Sequence, residues 1–242
     1  MDFKEIHFDE IDSTSTYIKN NFDKIDQFTF VSASYQSCGR GRNSRVWVSN
    51  KNENLMFSFS IKDESLFKLY KNISLLSSYI LAVTINEFFD VKKTSIKWPN
   101  DVYIDGCKIG GILLESHMLD DKIDGIIIGI GVNLNQIVFP SDLKYPVSSL
   151  KIIFSKNVDI QQFKRIFFNN ILKYFEKLKE NSFTDYITFA RENNYLKDKE
   201  VYATINNYKK KVKVLDINDD CSLKMLIDND IVSIFSGEIT FH

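Results

Sequence analysis

Two periods of hydrophobic and polar residues alternate along the chain and predict where its strands and helices lie. In residues 53–62 (ENLMFSFSIK) every second residue is large and apolar, which predicts a half-buried strand. Apolar residues recur at helical spacing in residues 67–89 and predict one long core helix or two shorter ones. The same spacing in residues 158–180 predicts another helix, and a second short helix is expected within 182–193.

Further strands are predicted before and after a basic loop. Residues 4–8 (KEIHF) and 28–36 (FTFVSASYQ) are rich in β-branched and aromatic residues, and the second run leads directly into that loop. Residues 95–116 predict two strands joined by a tight Asp-Gly turn at 105–106. The run 122–135 (KIDGIIIGIGVNLN) is nearly all apolar and therefore predicts a central strand.

The end of the chain has a different pattern. From about Lys197 onward, short β-rich runs are separated by Asn, Asp and Gly, which predicts a small barrel of about five strands. We therefore expect a domain boundary near Tyr195, with one domain at 1–195 and a smaller one at 196–242.

Composition and charge exclude some classes of function. The 242 residues, 44% of them hydrophobic, are enough to bury a full core. Lys and Arg (31) nearly balance Asp and Glu (32), so the net charge of −1 gives no overall field that would draw the protein to nucleic acid or an anionic membrane. The N-terminal residues lack the features of a signal peptide and no run of 18 or more apolar residues occurs, so we expect a cytoplasmic protein.

Cysteine and histidine positions argue against a disulfide framework and against a zinc site. The three cysteines are far apart and odd in number, and no histidine stands near them at zinc-ligand spacing. Free thiols are therefore expected. The residues concerned are Cys38, Cys107, Cys221, His7, His117 and His242.

The most informative stretch is residues 37–47, SCGRGRNSRVW, which contains two glycines, three arginines and no acidic residue. Guanidinium groups bind phosphate oxygens bidentately, and glycine lets backbone N–H groups approach an anion closely. An anionic ligand is the simplest interpretation, while a flexible solvated loop and an RNA-binding loop are alternatives. Common nucleotide fingerprints do not apply, because Ser44 replaces the third glycine of G-x-G-x-x-G and no P-loop motif occurs.

Five motifs in a fixed order narrow these alternatives. Together they resemble the biotin protein ligases, which attach biotin to carrier proteins. The C-terminal run SGEITFH also resembles the end of that family's small SH3-like barrel, so the resemblance covers nearly the whole chain. The motifs are DSTS (12–15), YQSCGRGRNSRVW (35–47), KWPNDVYI (97–104), KIGGILLES (108–116) and GIGVNLN (129–135).

The resemblance implies a fold and a reaction. The fold would be α+β, a mixed β-sheet with flanking helices like that of class II aminoacyl-tRNA synthetases, plus a small C-terminal SH3-like β-barrel. The reaction would join biotin to ATP as biotinyl-AMP and then transfer biotin to a lysine of a biotin carboxyl carrier protein. ATP and biotin would be substrates, Mg²⁺ would accompany ATP on unidentified ligands, and the protein would be a monomer or homodimer that binds neither nucleic acid nor membrane.

The resemblance also implies which residues bind biotin. Ser13, Thr14 and Gln36 would hydrogen-bond the ureido ring, and the backbone of Gly39 and Arg40 would close over the ligand. A slot for the ring and the valeryl chain would be left by two small residues. The complete implied set is Ser13, Thr14, Gln36, Gly39, Arg40, Lys108, Gly110 and Gly111.

A second implied group binds ATP and carries the chemistry. Lys108 would stabilise charge on the reacting carboxyl and phosphoryl oxygens, and Arg42 would contact the phosphate and the biotin carboxylate. Trp47 would pack against the adenylate as the loop orders. The catalytic residues would be Lys108 and Arg42, and the adenylate site would comprise Arg42, Arg45, Trp47, Lys97, Asn100, Asp101 and Asn133.

Each of these residues also has an ordinary structural use. Ser13 could simply cap the first helix, and Lys108 could be a solvated strand residue. Trp98 is expected in the core, Asp101 could cap a turn, and glycines 110–111 could mark a β-bulge.

The sequence departs from the pattern of the biotin protein ligases in two ways, and it leaves three other functions open. Asn43 stands where family members often carry another basic residue, so the loop is expected to hold its adenylate less tightly. There is no room before Asp12 for a winged-helix DNA-binding domain, so a ligase without repressor function is expected. The rivals are a lipoate ligase, a biotin or nucleotide sensor without catalysis, and an RNA-binding module, which should show salt-sensitive oligonucleotide affinity.

Overall fold

The fold is described from a computed structural model that covers residues 3–143, 145–180, 183–205 and 208–241. His242 lies outside these residues. Two β-sheets and five α-helices account for most of the described chain. The α+β class is confirmed.

A seven-stranded mixed sheet forms the centre of the molecule. Its order is β1-β2-β3-β7-β6-β5-β4; β1 and β2 are parallel and the other neighbours antiparallel. The apolar run expected to be central is β7, the fourth strand of the seven. The strands are β1 (Glu5–Phe8), β2 (Phe30–Ala33), β3 (Leu55–Ile61), β4 (Ser95–Lys97), β5 (Asp101–Ile104), β6 (Cys107–Leu119) and β7 (Lys122–Val132).

The helices cover both faces of this sheet. They are α1 (Thr14–Asn20), α2 (Tyr70–Phe89), α3 (Leu150–Phe154), α4 (Ile160–Leu178) and α5 (Asp185–Glu192). Helix α1 packs on one face through a small cluster that includes Ile18 and Val31. Helices α2 and α4 pack on the other face, where Phe168 stacks on Phe30 at a centroid distance of 3.9 Å. The helix expected at 67–89 is therefore α2, preceded by a 3₁₀ segment at Glu64–Leu69.

Burial corrects the prediction for β3. The strand was expected to be half-buried, but all seven of its residues are buried. It pairs with β2 and β7 and has helices on both sides, so its serines as well as its phenylalanines are removed from water. Buried polar groups usually have hydrogen-bond partners, and on β3 Ser58 has one in Thr14.

Within the described residues, one helical stretch, 64–89, is long and apolar enough to cross a membrane by those criteria alone. It is mostly buried in the core, and the core helices of water-soluble proteins meet the same criteria.

The segment 95–116 contains three strands where two were expected. The turn at Asp105-Gly106 is confirmed, with φ of 48° and 79° at the two residues, which suits this dipeptide. The additional strand is β4, and a turn with a cis Trp98–Pro99 bond follows it. Pairing of β5 with β6 shifts register between Val102 and Tyr103, which leaves Ile109 as an extra residue on β6.

The C-terminal strands form an open sheet. They are β8 (Glu200–Ile205), β9 (Tyr208–Ile217), β10 (Leu223–Ile227), β11 (Asp230–Ile234) and β12 (Glu238–Thr240). The five predicted strands are confirmed, but they pair in the order β11-β10-β9-β8-β12 and do not close into a barrel in the described residues. The edge strands β11 and β12 are short and lie at opposite sides of the sheet.

The two sheets are joined by a buried contact. The indole N–H of Trp98 donates to the carbonyl oxygen of Cys221 at 2.9 Å, and Trp98 is 3% exposed. Trp98 is thus a core residue, as expected. The boundary near Tyr195 falls between α5 and β8 and stays a prediction, because one hydrophobic core includes residues from both sides of it.

Candidate active site

A cleft lies where the two sheets and the basic loop meet. Its walls come from the loop at 37–47, the start of α1, strands β3, β5, β6 and β7, and the start of β12. The predicted site residues that line it are Ser13, Thr14, Gln36, Arg40, Arg42, Arg45, Trp47, Lys97, Asn100, Asp101, Lys108 and Gly111.

The basic loop folds as a small hairpin over this cleft. The N–H of Gly41 donates to the carbonyl oxygen of Arg45 at 2.7 Å, and the N–H of Trp47 donates to that of Gly39 at 2.9 Å. Asn43 at the tip has a φ of 54°, in the left-handed region that asparagine tolerates better than most residues. This conformation gives a local reason for asparagine at position 43.

The tip of the loop is attached to the C-terminal sheet. Arg45 forms an ion pair with Glu238, and the Asn43 amide donates to the same carboxylate at 3.3 Å. Arg42 donates to Asn100 Oδ1 at 2.9 Å and to the Gly237 carbonyl oxygen at 3.3 Å. These contacts place the arginines between the two sheets, at the mouth of the cleft.

Lys108 enters the cleft beside Asp101. Its Nζ lies 2.7 Å from Asp101 Oδ1, and the two side chains are only 12% and 17% exposed. The extra residue Ile109 in β6 places Lys108 on the same side as Gly111, where a Cβ would lie 3.0 Å from Lys108 Nζ. The β-bulge expected beside the glycine pair is present, and Gly111 leaves room for the lysine side chain; the slot for a ligand stays a prediction.

Burial lowers the pKa values of two other cations in the cleft, Lys97 and Arg42. Burial lowers the pKa of the Lys97 ammonium, an effect that the Asp101 carboxylate opposes and neighbouring cations reinforce. Burial also lowers the pKa of Arg42, again opposed mainly by Asp101. Cations that are poorly hydrated and share one carboxylate are suited to receive an additional anion.

Hydroxyl and amide groups lie together in another part of the cleft. Thr14 N and Thr14 Oγ1 both donate to Gln36 Oε1, at 2.8 Å and 3.1 Å, and Thr14 Oγ1 lies 2.7 Å from Ser58 Oγ. Ser13 caps α1 by a long 3.5 Å contact from Thr16 N and lies 3.0 Å from Ser15 Oγ. The capping role and the place in the cleft thus coexist at Ser13.

The arrangement can therefore hold an anion beside a small polar ring. A family model of the biotin/lipoate A/B protein ligases matches residues 7–133, more than half of the chain. The chain belongs to the biotin/lipoate A/B protein ligase family.

Individual members of the family agree with this assignment. The bifunctional ligase/repressor BirA of Bacillus subtilis is 35% identical over 162 residues, which cover 66% of this chain and 47% of that protein. The biotin--[acetyl-CoA-carboxylase] ligase of Paracoccus denitrificans is 32% identical over 106 residues, covering 43% of this chain and 44% of that protein. The chain thus spans about half the length of these curated relatives.

Among solved structures, the biotin protein ligase from Aquifex aeolicus in complex with biotin and ATP is similar to this chain over both sheets. It has a TM-score of 0.86 and 27% identity, and the match covers 98% of this chain and 97% of that chain. The similarity therefore includes the open C-terminal sheet.

Three residues that the family resemblance placed in the site do not line the cleft. A Cβ at Gly110 would lie 2.6 Å from Leu81 Cδ2, so this glycine allows the close packing of β6 against α2. Asn133 is 3% exposed and donates to the Ser148 carbonyl oxygen, so it fixes a neighbouring loop. Gly39 lies behind the loop, where a Cβ would come 2.6 Å from the Trp47 carbonyl oxygen.

Trp47 has a defined position in this family member. Its ring lies directly over Gly131, where any side chain would collide with it. The buried indole Nε1 has no hydrogen-bond partner in the described residues, and Lys108 Nζ lies 5.7 Å from the ring centroid. A place for the ring against the backbone of β7 is thus built into the sheet.

Among the residues of the cleft wall that were assigned no site role from the sequence, four have specific places in the site. Tyr145 stands in a segment that gave no signal, and Glu238 belongs to the quoted run SGEITFH but was given no role; the places of both depend on contacts between distant parts of the chain. Ser58 could have been noticed as a serine in a strand otherwise suited to the core. Gly131 belongs to a quoted motif but was given no role.

The contact of the basic loop with Glu238 predicts how fast the backbone amides of the loop exchange hydrogen with solvent. Glu238→Ala removes the carboxylate that both Arg45 and Asn43 contact at the loop tip. Hydrogen exchange at the Gly41 and Trp47 amides should therefore be faster in the free protein. Biotin plus ATP should slow exchange across 38–47 in both proteins, as a loop that orders on its ligand requires. Exchange can be followed by mass spectrometry of the loop peptide. Equal rates in the free variant and the free wild type would contradict the attachment.

Lys97 gives a prediction in which stability and binding change in opposite directions. Lys97→Met should raise the free energy of unfolding by about 1 kcal/mol at neutral pH, because it removes a poorly hydrated charge. Since folding lowers this pKa, the charge costs stability below the folded pKa, and the gain should shrink as pH rises toward the unfolded pKa. The KM for ATP should rise about tenfold. Denaturant unfolding and ATP titration measure both effects, and a gain independent of pH would contradict the cause.

Proposed function

We propose that this family member is a biotin protein ligase. In the first step a carboxylate oxygen of biotin attacks the α-phosphorus of ATP, the bond to the β-phosphate oxygen breaks, and pyrophosphate leaves. In the second step a lysine amine of a biotin carboxyl carrier protein attacks the carbonyl carbon of biotinyl-AMP, an amide forms, and AMP leaves with one proton lost from the amine.

One observation carries this proposal. The three cations Arg42, Lys97 and Lys108 share a single cleft with the cluster of Thr14 and Gln36. An acyl-adenylate ligase has to hold two anions close together while it recognises the uncharged end of the acid. The ligand named for the Aquifex aeolicus structure, biotin with ATP, supports this assignment.

The first step requires positioning and charge stabilisation. Lys108 is held by Asp101 and by backbone bonds on both sides: its N–H donates to the Pro146 carbonyl oxygen at 2.9 Å, and its carbonyl oxygen accepts from Ser148 N at 3.1 Å. An ammonium fixed in this way stabilises charge that develops between carboxylate and phosphate without having to reorganise. We assign it this role, and we assign contacts with the phosphate to Arg42 and Arg45.

Mg²⁺ would enter with ATP as part of the substrate. The described residues contain no group of three or more His, Cys, Asp or Glu side chains that could hold a metal ion. The acidic residues of the cleft, Asp101 and Glu238, are already paired with cations. A site with few free carboxylates suits an ion that keeps its waters and binds mainly to phosphate oxygens.

The second step requires a carrier protein, and we propose a biotin carboxyl carrier domain as the acceptor. The name of the Paracoccus denitrificans relative, an acetyl-CoA-carboxylase ligase, supports that choice. A cytoplasmic location, a monomeric or dimeric state and the absence of nucleic-acid or membrane partners belong to the same proposal.

The deciding experiment is exchange of labelled pyrophosphate into ATP by the purified protein. Exchange that depends on biotin, and not on lipoate or octanoate, is the expected result. Exchange with lipoate would assign the protein to the lipoate-attaching branch of the family. Tight biotin binding without any exchange would make it a sensor and overturn the proposal.

A further inference from the structure

Lys199 is a cation beside the cleft that forms no ion pair in the described residues. It directly precedes β8, and its side chain is partly buried. The lysine two residues earlier, Lys197, forms an ion pair with Asp216. The acidic residue that follows, Glu200, is paired with Lys211 at 2.7 Å. The charge of Lys199 is therefore left for another partner.

Three aromatic rings hold Lys199 close to Lys97. Tyr195 stacks on Tyr103 at a centroid distance of 4.5 Å, and Phe241 meets Tyr195 edge-on at 5.9 Å. Lys199 Nζ lies 3.5 Å from the centroid of Tyr195 and 5.6 Å from that of Phe241. Lys97 Nζ lies 5.7 Å from the same Phe241 ring. One ammonium group from the central sheet and one from the start of the C-terminal sheet thus share a ring.

The rings hold these ammonium groups without neutralising them. An aromatic face attracts a cation through its quadrupole but carries no net charge. Burial lowers the pKa of Lys199 and also that of Lys97. The Asp101 carboxylate, which opposes this effect at Lys97, is itself paired with Lys108. Two poorly hydrated cations without a carboxylate of their own are suited to bind one anion that carries several negative charges.

The contacts connect three lysines in a definite order. Lys108 and Lys97 line the cleft, whereas Lys199 stands outside its wall. The charges of Lys108 and Lys199 both lower the pKa of Lys97, so both are close to it. Lys108 meets Lys97 through Asp101, and Lys97 meets Lys199 through Phe241. The row of positive charges therefore begins inside the cleft and continues outward past Lys97.

We propose that Lys199, together with Lys97, binds the terminal phosphates of ATP and the pyrophosphate formed from them. The inference rests on the proposed function and deepens it. Lys108 is assigned to the phosphate that biotin attacks, so the two phosphates beyond it need cations further along the row. AMP ends at the attacked phosphate and does not reach Lys199. This lysine therefore distinguishes ATP and pyrophosphate from AMP.

Three variants test the charge of Lys199. Lys199→Met removes the charge but keeps most of the unbranched side chain, and Lys199→Arg restores a cation that can stack on Tyr195. The matched control is Lys197→Met. Lys197 lies in the same segment, but its side chain is 47% exposed and already paired with Asp216 at 3.7 Å. Both methionine variants change the net charge of the protein equally.

The first measurement is binding of pyrophosphate and of AMP to the purified protein by titration calorimetry, with Mg²⁺ present. Lys199→Met should weaken pyrophosphate binding about tenfold, as the loss of one charge-assisted contact implies, and leave AMP binding unchanged. Lys199→Arg should recover most of the affinity, and Lys197→Met should change neither. In pyrophosphate exchange, Lys199→Met should raise the KM for ATP about tenfold and leave the KM for biotin unchanged.

The inference and the proposed function can fail separately. Equal pyrophosphate affinity of Lys199→Met and the wild type would overturn the role of Lys199, and so would an equal loss for AMP. Transfer of biotin from preformed biotinyl-AMP to the carrier should be unchanged; slower transfer with normal pyrophosphate binding would assign Lys199 to the carrier protein instead. Absence of biotin-dependent exchange in the wild type would remove the proposed function, whereas calorimetry tests Lys199 without that reaction.

Discussion

Lys108→Ala should reduce biotin-dependent pyrophosphate exchange on the order of 10³-fold or more. The ammonium of Lys108 is fixed beside the place where the carboxylate and phosphate would meet, and alanine leaves no charge there. The protein should still fold, because the change takes little volume from the core. Exchange rates at saturating biotin and ATP measure the effect directly.

A loss of activity must be distinguished from a loss of stability. Without Lys108, the carboxylate of Asp101 would lie almost buried with Lys97 and Arg42 as its remaining cations, which should cost about 1–3 kcal/mol of unfolding free energy. Adding Asp101→Asn removes the carboxylate charge but also the counter-charge of Lys97 and Arg42, so the double variant should recover part of the stability. Its adenylation should stay absent, because the missing ammonium is not restored.

The matched lysine control is Lys93→Ala. Lys93 is also ion-paired, with Asp105 at 3.7 Å, but its side chain is 52% exposed and lies outside the cleft wall. Its loss should change neither exchange nor stability measurably. Near-normal exchange by Lys108→Ala would show that the catalytic role belongs to another residue.

Arg42→Gly should release biotinyl-AMP from the cleft, so that it biotinylates lysines of bystander proteins. Arg42 connects the loop to Asn100 and to the Gly237 carbonyl oxygen, so its removal opens the cleft between the two sheets as well as removing a phosphate contact. The rate of labelling of a non-carrier protein should rise on the order of 10²-fold, consistent with the loss of a charge-assisted bidentate contact. Labelled biotin and a mixture of carrier and non-carrier proteins allow both rates to be measured together.

The control for added flexibility is Ser44→Gly. Ser44 lies in the same loop with a φ of 58°, a conformation that glycine adopts without strain. This variant adds backbone freedom to the loop but keeps every arginine. We expect Ser44→Gly to biotinylate the carrier protein selectively. We expect Arg42→Gly to biotinylate non-carrier proteins as well. Equal selectivity of Arg42→Gly and the wild type would remove the assignment.

The local order of the chain could be predicted from the sequence because it depends on neighbouring residues. The period of apolar residues predicted α2 and α4, the Asp-Gly dipeptide predicted the β5–β6 turn, and the apolar run at 122–135 predicted a central strand. The order of the motifs predicted the family, and twelve of the residues that the resemblance implied for the site line the cleft. Each of these inferences used residues that are close in sequence or motifs whose spacing is fixed.

Burial on both faces of β3 could not be predicted in the same way. Its alternation of phenylalanine and serine is typical of a strand with one face in water, yet helices and the cleft cover both faces. Ser58 is therefore buried and contacts Thr14, whereas a serine facing water would have no fixed hydrogen-bond partner. Its contact with Thr14 joins residues 44 positions apart.

Local patterns in the sequence predicted most of the helices and strands, and motif order gave the family and the types of residue in the site, because these depend on neighbouring residues and fixed spacings. Only the tertiary structure decided which of those residues meet. One extra residue in β6 places Lys108 in the cleft, close packing removes Gly110 from it, and Glu238 reaches the loop tip from 193 positions away. Contacts of this kind depend on strand register and on the packing of one sheet against another, and no local pattern in a single chain records them.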